Sequence, residues 1–212
     1  QGKYLFDFFV IKNDGGYLLD CDGNSVKSLI DNLSKYKIRS KVEIKDISSS
    51  NVVGIIHYEN FKMIQKELNK QTFTLHFRDS PVFVDPRDSD LGARIISPLE
   101  KLYLTIKKLN LKIVENNSYF KKAFLKGIPV EGLNSLQNQL FGLEINFEKL
   151  NAVDFKKGCY VGQENTARMK LKNKIRRQLM PVKTENQVKI GDEIKYNDIV
   201  IGKILIDEPF PF

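Results

Sequence analysis

The chain has 212 residues, a formal net charge of +8 and an ordinary globular composition, with 42% hydrophobic and 28% charged residues. Its apolar runs stay well short of the roughly 20 residues that a transmembrane helix needs, so a membrane-spanning helix is excluded. Two distant cysteines and two histidines supply neither a disulfide framework nor the ligand set of a structural zinc site, which favours a reducing compartment.

The first predicted elements are a hairpin, a helix and a strand. Residues 4–12 and 17–22 flank the turn sequence Asn-Asp-Gly-Gly at 13–16. A helix follows, with apolar residues at helical spacing from Val26 to Leu33. Residues 42–47 alternate apolar and charged side chains, which predicts a half-buried strand.

The middle of the chain predicts a second α+β unit, beginning after the polar segment 48–51. Its predicted strands and helices are residues 52–58 (strand), 61–68 (helix), 72–77, 81–84 and 91–96 (strands), 98–109 and 119–126 (helices). Residues 127–153 form a long segment without a regular sequence pattern, and long loops in compact domains are often functional.

Short strands end the chain. Residues 174–182, 193–196 and 199–206 predict a small, incomplete β-barrel. The predicted organisation is therefore α+β in three parts, with a partial domain at 1–47, a second domain at 48–171 and an incomplete β-barrel at 172–212.

The most informative segment is Lys157–Glu164, with the sequence Lys-Gly-Cys-Tyr-Val-Gly-Gln-Glu. Two glycines permit tight backbone bends around Cys159 and Tyr160. A helix is predicted from Gln163, with Glu164 in its first turn, where a carboxylate suits the helix dipole. Nearby lysines and Arg168 would favour the Cys159 thiolate and make this cysteine reactive.

A small buried cysteine in a turn is the alternative for Cys159. Cys21 is predicted to be a packing residue, because it shares a strand face with Tyr17 and Leu19. The positive charge favours polyanions, including nucleic acid, an anionic membrane or a polyglutamate tail. The basic residues are dispersed, however, so a solvated surface is the other interpretation.

The segment Lys157–Glu164 resembles the signature of YgfZ-type tetrahydrofolate-binding proteins, including their mitochondrial iron–sulfur relatives. Further segments resemble this family in the same order along the chain: Gln1-Gly2-Lys3 with Asp7, residues 36–42, Asp85-Pro86-Arg87, Leu91-Gly92 with Arg94, and Glu144 with Asn146. Full-length members extend beyond both ends of this chain, so the resemblance predicts a fragment.

The resemblance implies a fold like that of the glycine cleavage T-protein, with two ferredoxin-like α+β domains and a C-terminal β-barrel around a folate site. It implies that Asp7 lies near the pterin, and an edge-facing salt bridge is the alternative for this residue. It also implies that Glu144 and Arg94 contact the pterin or its glutamate tail, and ordinary surface ion pairs are the alternative for these two. Cys159 is implied as a nucleophile, a cluster contact or a redox-sensitive group. The remaining binding residues implied by the signature are Lys157, Tyr160, Gln163, Glu164 and Arg168.

Tetrahydrofolate binding in support of iron–sulfur enzymes, including tRNA-modifying ones, is the function that the resemblance implies. A folate-dependent one-carbon transferase is the alternative. An RNA-binding module is a third class, disfavoured because no RNP-type aromatic motif is present. The expected partners are folate and iron–sulfur client proteins, without direct nucleic-acid or membrane binding, and a monomer is expected. The expected location is the cytoplasm of a bacterium or the mitochondrial matrix of a eukaryote.

Overall fold

The computed structural model describes residues 2–172 and 175–212. These residues divide into two units: Phe6–Ile113, and the described residues up to Leu5 together with Val114–Phe212. The domain boundaries expected from the sequence, after residues 47 and 171, stay predictions.

The unit Phe6–Ile113 begins with the predicted hairpin. Strands β1 (Phe8–Asn13) and β2 (Gly16–Cys21) pair antiparallel, with Ile11 opposite Leu18. Helix α1 (Val26–Lys37) follows. Ile11 is buried and packs in a cluster with Phe83 and Ile96, so the inner face of the hairpin contributes to a core.

A four-stranded antiparallel sheet forms the rest of this unit, with the spatial order β3-β6-β5-β4. Helices α2 and α3 accompany it, and the core of the unit is centred on fully buried residues such as Phe61 and Ile95. The bounds are β3 Val52–Ile56, α2 Tyr58–Leu68, β4 Thr74–Phe77, β5 Ser80–Val84, β6 Ala93–Ser97 and α3 Leu99–Lys108.

The second unit contains two helices and a small hairpin. Its elements are α4 Asn117–Leu125, α5 Gln163–Leu171, β7 Glu193–Tyr196 and β8 Ile199–Lys203. Its core includes Tyr4, Ile145, Ile206 and Phe212, so the N-terminal segment of this unit and its last residue share one apolar cluster. Lys3 forms an isolated β-bridge with Phe141.

The α+β class is confirmed, and the structure is compatible with a T-protein-like fold. The described residues form several small sheets and no closed barrel. Their helices include none with the length and apolar character needed to cross a bilayer.

Two strand predictions are wrong. Residues 42–47 form no strand, and Val42 and Ile47 are exposed, because none of the strands in the described part of the chain pairs with this segment. Residues 175–182 also form no strand, and Lys174, where that strand was predicted to begin, lies outside the described residues. Single hydrogen bonds hold the latter segment instead, from Leu179 N–H to Glu144 O (2.7 Å) and from Val182 N–H to Pro211 O (2.9 Å).

Gly92 sets the start of β6. Its φ is +96°, and a Cβ at this position would lie 2.1 Å from the carbonyl oxygen of Ile56. A side chain here is therefore excluded both by backbone conformation and by contact with the end of β3.

We expect Gly92→Ala to lower the free energy of unfolding by about 3 kcal/mol or more, because the strand junction must open to admit a methyl group. Gly15→Ala is the matched control in the same unit. Gly15 also has positive φ (+77°), but a methyl group on its Cα would meet no atom within 4 Å, so its cost is limited to about 1–2 kcal/mol of backbone strain. Urea unfolding followed by circular dichroism measures both, and equal losses would contradict the steric argument.

Candidate functional site

Asp7 lies immediately before β1 and is half-buried. Burial raises the pKa of its carboxyl above the ordinary value of 3.8, and the charge of Asp85 raises it further. Arg87, the backbone N–H of Phe8 and Arg94 act in the opposite direction, with Arg87 the strongest of the three. Folding therefore places the Asp7 carboxyl where its ionised form is disfavoured, as is typical of functional sites.

Arg87 and Asp85 form a buried ion pair on the turn after β5. Arg87 Nε donates to Asp85 Oδ1 at 3.0 Å and Nη2 donates to Oδ2 at 2.7 Å. The backbone N–H of Arg87 also donates to Asp85 Oδ1, at 3.0 Å. The bidentate geometry and the turn hydrogen bond together fix the guanidinium relative to the backbone.

Arg94, on β6, forms the second buried ion pair of this unit. Its Nε donates to Asp20 Oδ2, on β2, at 2.6 Å. Both arginines also contact the Phe9 ring, each with its guanidinium carbon 4.9 Å from the ring centroid. Asp7 and Arg94, which the family resemblance implied as folate-site residues, thus belong to one charged cluster around Phe9.

Glu144, in the other unit, is a buried carboxylate with protein partners on both oxygens. Oε2 accepts a hydrogen bond from Phe141 N–H (2.9 Å), and Oε1 accepts one from Arg177 Nε (2.8 Å). Asn146 Nδ2 donates to the carbonyl oxygen of Leu179 at 2.8 Å. Glu144 and Asn146 therefore tie the segment before the signature to residues 177–179, and a contact between Glu144 and a pterin stays a prediction.

Local contacts lie on both sides of Cys159. Before the signature segment, Asp154 accepts a hydrogen bond from Lys156 N–H (2.8 Å), and Lys170 Nζ lies 5.5 Å from the ring centroid of Phe155. Within the segment, Gly162 adopts a left-handed conformation (φ +89°) and precedes α5, which begins at Gln163 as predicted. Cys159 therefore lies between a turn and the start of a helix.

Within the segment, Lys157 Nζ lies 4.2 Å from the ring centroid of Tyr160. The side-chain oxygen of Gln163 accepts a hydrogen bond from Tyr160 N–H at 3.2 Å. Glu164 is in the first turn of α5, as predicted, and Arg168 Nη2 donates to Asn165 Oδ1 at 2.9 Å. The structure therefore brings Lys157, Tyr160 and Gln163 together.

Cys159 is exposed, which excludes the buried-turn alternative for this residue. Cys21 is half-buried, and burial together with Asp20, Asp22 and Asp46 raises the pKa of its thiol. The prediction that Cys21 packs in a core with Tyr17 and Leu19 is wrong, because this face of the hairpin is the exposed one, with Tyr17 71% exposed.

Sequence reasoning missed four residues around Asp7 and one beside Glu144. The missed residues are Phe9, Asp20, Asp85, Arg87 and Arg177. Asp85 and Arg87 enter the sequence-based interpretation only through the family resemblance, although an Asp-x-Arg spacing across a turn is a usable signal for a local ion pair. The other three act through contacts distant in sequence, which a single sequence does not reveal.

Comparison with known proteins gives one consistent group of relatives. No family model matches the chain. It is 30% identical over 169 residues to the mitochondrial iron–sulfur cluster assembly factor IBA57 homolog of Dictyostelium discoideum, covering 78% of this chain and 40% of that protein. It is 30% identical over 194 residues to the mitochondrial iron–sulfur cluster assembly factor IBA57 of Mus musculus, covering 87% of this chain and 51% of that protein.

A third relative, the mitochondrial IBA57 homolog of Pyricularia oryzae, is 24% identical over 200 residues, or 92% of this chain and 49% of that protein. The chain is homologous to these assembly factors. It spans about half the length of the curated relatives it matches. Their names agree with the iron–sulfur part of the resemblance and with the mitochondrial location expected of a eukaryotic chain.

The Asp7 carboxyl makes stability depend on pH in a specific direction. Its pKa is raised in the folded state, so the unfolded chain releases this proton more readily and the ionised form destabilises the fold. This loss of folding stability begins as pH rises through 3.8, and it is complete above the raised pKa of Asp7 in the folded state. We expect Asp7→Asn to be more stable relative to wild type at pH 7 than at pH 3, with each unit of pKa elevation worth about 1.4 kcal/mol.

Urea unfolding of both proteins across this pH range measures the difference. Asp46→Asn is the control of opposite sign, because hydrogen bonds from Ser48 lower the pKa of the exposed Asp46. Asp46→Asn should gain no folding stability over wild type at pH 7. A stability difference between Asp7→Asn and wild type that stays constant with pH would contradict a raised pKa at Asp7.

Proposed function

We propose that this chain acts in iron–sulfur cluster assembly and that Cys159 contributes a thiolate ligand to a cluster shared with another protein. The names of its homologues support the assembly role. The exposed thiol of Cys159, in the segment between a turn and the start of α5, is the observation that carries the proposal. Because the chain spans only about half of each relative, the activity of a whole protein is part of this proposal.

The need for a second protein follows from ligand counting. Biological iron–sulfur clusters are held by about four protein ligands, usually cysteine thiolates. This sequence has two cysteines, and Cys21 is half-buried in a different unit from Cys159. Among the described residues, no three His, Cys, Asp or Glu side chains form a group able to hold a metal ion. The partner, an iron–sulfur client or carrier, must supply the remaining ligands.

The neighbours of Cys159 suit such a shared ligand. Cys159 is exposed, and a methyl group on the preceding Gly158 would meet no atom within 4 Å, so the backbone next to the cysteine is uncrowded. Lys156 and Lys157 precede the cysteine and are exposed. Their positive charge is complementary to a thiolate-ligated cluster, which carries net negative charge.

We expect the purified chain to retain a cluster after anaerobic reconstitution with ferric iron, sulfide and glutathione, with glutathione supplying the missing thiolates and acting as the reductant where ferrous iron is needed. Cys159→Ala should retain at least about tenfold less iron and sulfide per chain, because the protein ligand is gone. Visible absorption and iron and sulfide analysis after gel filtration measure retention. Cys21→Ala is the matched control and should behave as wild type, and equal retention by Cys159→Ala and wild type would exclude the ligand role.

We further propose that the cluster of charges around Asp7 takes part in binding tetrahydrofolate. The half-buried Asp7 carboxyl, with its raised pKa, supports this assignment. An ionised carboxylate can accept the paired N–H groups of a pterin ring. The charge of Arg94, which is paired with Asp20, also acts on the Asp7 carboxyl. Bound folate would supply one-carbon chemistry, and Asp7 and Arg94 would orient the folate. The alternative is that the chain turns over as a one-carbon transferase, which requires a donor substrate.

We expect tetrahydrofolate to raise the melting temperature of wild type in a saturable manner, because a ligand that binds only the folded state stabilises it by mass action. Asp7→Ala should weaken binding at least about tenfold by calorimetry, because the carboxylate that pairs with the pterin is gone, whereas Cys159→Ala should bind normally. Saturable binding that is unchanged in Asp7→Ala would place the folate elsewhere. Absence of binding to wild type would remove folate from the proposal and leave the role of Cys159 intact.

The names of the relatives support a mitochondrial setting, and a eukaryotic chain would work in the mitochondrial matrix. Clients that include tRNA-modifying iron–sulfur enzymes are proposed from the family resemblance of the signature segment. The dispersed basic residues give no support to direct RNA binding.

A further inference from the structure

Gly2 lies close to the backbone that follows Cys159. A Cβ at residue 2 would lie 2.9 Å from the carbonyl oxygen of Gly162, and 3.4 Å from side-chain atoms of Asn165 and of Thr166. Gly2 also has a φ of +78°, which residues with a side chain rarely adopt. The backbone at residue 2 can therefore pack against the start of α5 only because this residue is glycine.

The backbone just after Gly2 is anchored within the same unit. Tyr4 is buried, and its N–H donates to the carbonyl oxygen of Leu140 at 2.8 Å. The carbonyl oxygen of Tyr4 accepts a hydrogen bond from Asn138 N–H at 2.9 Å. A side chain at residue 2 therefore cannot be accommodated by moving residues 2–4 together unless these hydrogen bonds break.

A turn joins Gly162 to Cys159. Gln163 N–H donates to the carbonyl oxygen of Tyr160 at 3.2 Å, and Tyr160 N–H donates to the side-chain oxygen of Gln163 at 3.2 Å. Lys157 Nζ lies 4.2 Å from the ring centroid of Tyr160, so this contact spans Cys159. Because Gly162 is inside the turn, a displacement of its backbone also displaces the residue next to the cysteine.

We propose that Gly2 is a positioning residue for Cys159. Because it has no side chain, the backbone at residue 2 contacts the turn 160–163, and this turn holds the cysteine in one exposed position. The part of this inference that concerns a cluster rests on the proposed ligand role of Cys159. The effect of Gly2 on the conformation of the turn is independent of any ligand.

Gly2→Ala tests the positioning role in the unliganded chain. The new methyl group must displace either residue 2 or Gly162, and both movements remove the contact that holds the turn. We expect the backbone order parameters of residues 159–162, from nitrogen-15 NMR relaxation, to fall by about 0.2 in this variant. Wild-type order parameters already below about 0.6 at these residues, or no fall in Gly2→Ala, would overturn the proposal.

Gly132→Ala is the matched control. Gly132 belongs to the same unit and has nearly the same φ, +79°. A Cβ there would lie 2.6 Å from Cγ2 of Ile206, and its three nearest atoms all belong to this core residue. The variant should lower the free energy of unfolding and leave the order parameters of residues 159–162 unchanged. Equal falls in both variants would mean that Gly2 acts only through the stability of the unit, which contradicts positioning.

Gly127→Ala covers the case in which Gly132→Ala fails to fold. Gly127 has a φ of +70°, and the nearest atom to a Cβ there, Pro181 Cδ, would be at 3.6 Å, an ordinary contact. This variant therefore introduces backbone strain without a clash. Its order parameters at residues 159–162 should match those of wild type. A fall like that in Gly2→Ala would show that any strained alanine in this unit loosens the turn, and the assignment to Gly2 would fail.

Cluster retention connects the positioning role to the proposed function. After the reconstitution described above, Gly2→Ala should hold about threefold less iron and sulfide per chain than wild type, because groups that orient a ligand affect metal affinity. The measurement is made at a temperature at which both proteins are fully folded, and Gly132→Ala should retain as much as wild type. Undiminished retention by Gly2→Ala would overturn positioning for a cluster. If wild type retains no cluster but the order parameters fall in Gly2→Ala alone, the ligand role fails and the effect of Gly2 on the turn stands.

Discussion

The Phe6–Ile113 unit depends on the placement of two guanidinium groups against a single phenylalanine ring. Burying a charge is costly unless a partner compensates it, and here each arginine has its own carboxylate as well as the ring. The arrangement joins the hairpin, the turn after β5 and strand β6. The same contacts that assemble these elements also determine the electrostatic surroundings of Asp7.

In the other unit, the buried Glu144 carboxylate also joins segments of the chain, but hydrogen-bond donors engage both of its oxygens. Its buried carboxylate connects the backbone at Phe141 to Arg177, so that two segments distant in sequence are joined without a β-ladder. The carboxylate oxygens are engaged by these donors. Glu144 thus stabilises the framework that carries the signature segment, whereas Asp7 sits in surroundings that disfavour its charged form.

The sequence was most informative where a local pattern determines local structure. The Asn-Asp-Gly-Gly turn predicted the first hairpin, helical spacing predicted α1, and the glycine before Gln163 agreed with the start of α5. The alternation of apolar and charged side chains at residues 42–47 predicted a strand that does not form. A strand needs a neighbouring strand to pair with, and the pattern does not show whether one exists.

The candidate site was predicted unevenly for the same reason. The signature segment is continuous in sequence, so its helix start could be predicted, whereas the exposure of Cys159 was left open between a reactive thiol and a small buried cysteine. The ion pair of Arg94 with Asp20 joins residues 74 positions apart, and that of Arg177 with Glu144 joins residues 33 apart. Such pairings depend on tertiary structure, which one sequence does not specify by inspection. The interpretation of Cys21 as a core residue failed because the identity of the buried hairpin face depends on what packs beneath it.

The connection between Glu144 and Arg177 has a consequence for how this protein can vary. Cys159 and α5 lie on a stretch of chain whose two ends are joined by that ion pair and by the bond from Asn146 to Leu179. The entropy of closing a loop grows only slowly with its length. The loop-closure part of the folding free energy therefore changes little when this stretch is lengthened or shortened. The contacts that Cys159 makes with a partner, in contrast, depend directly on the length of the segment that carries it.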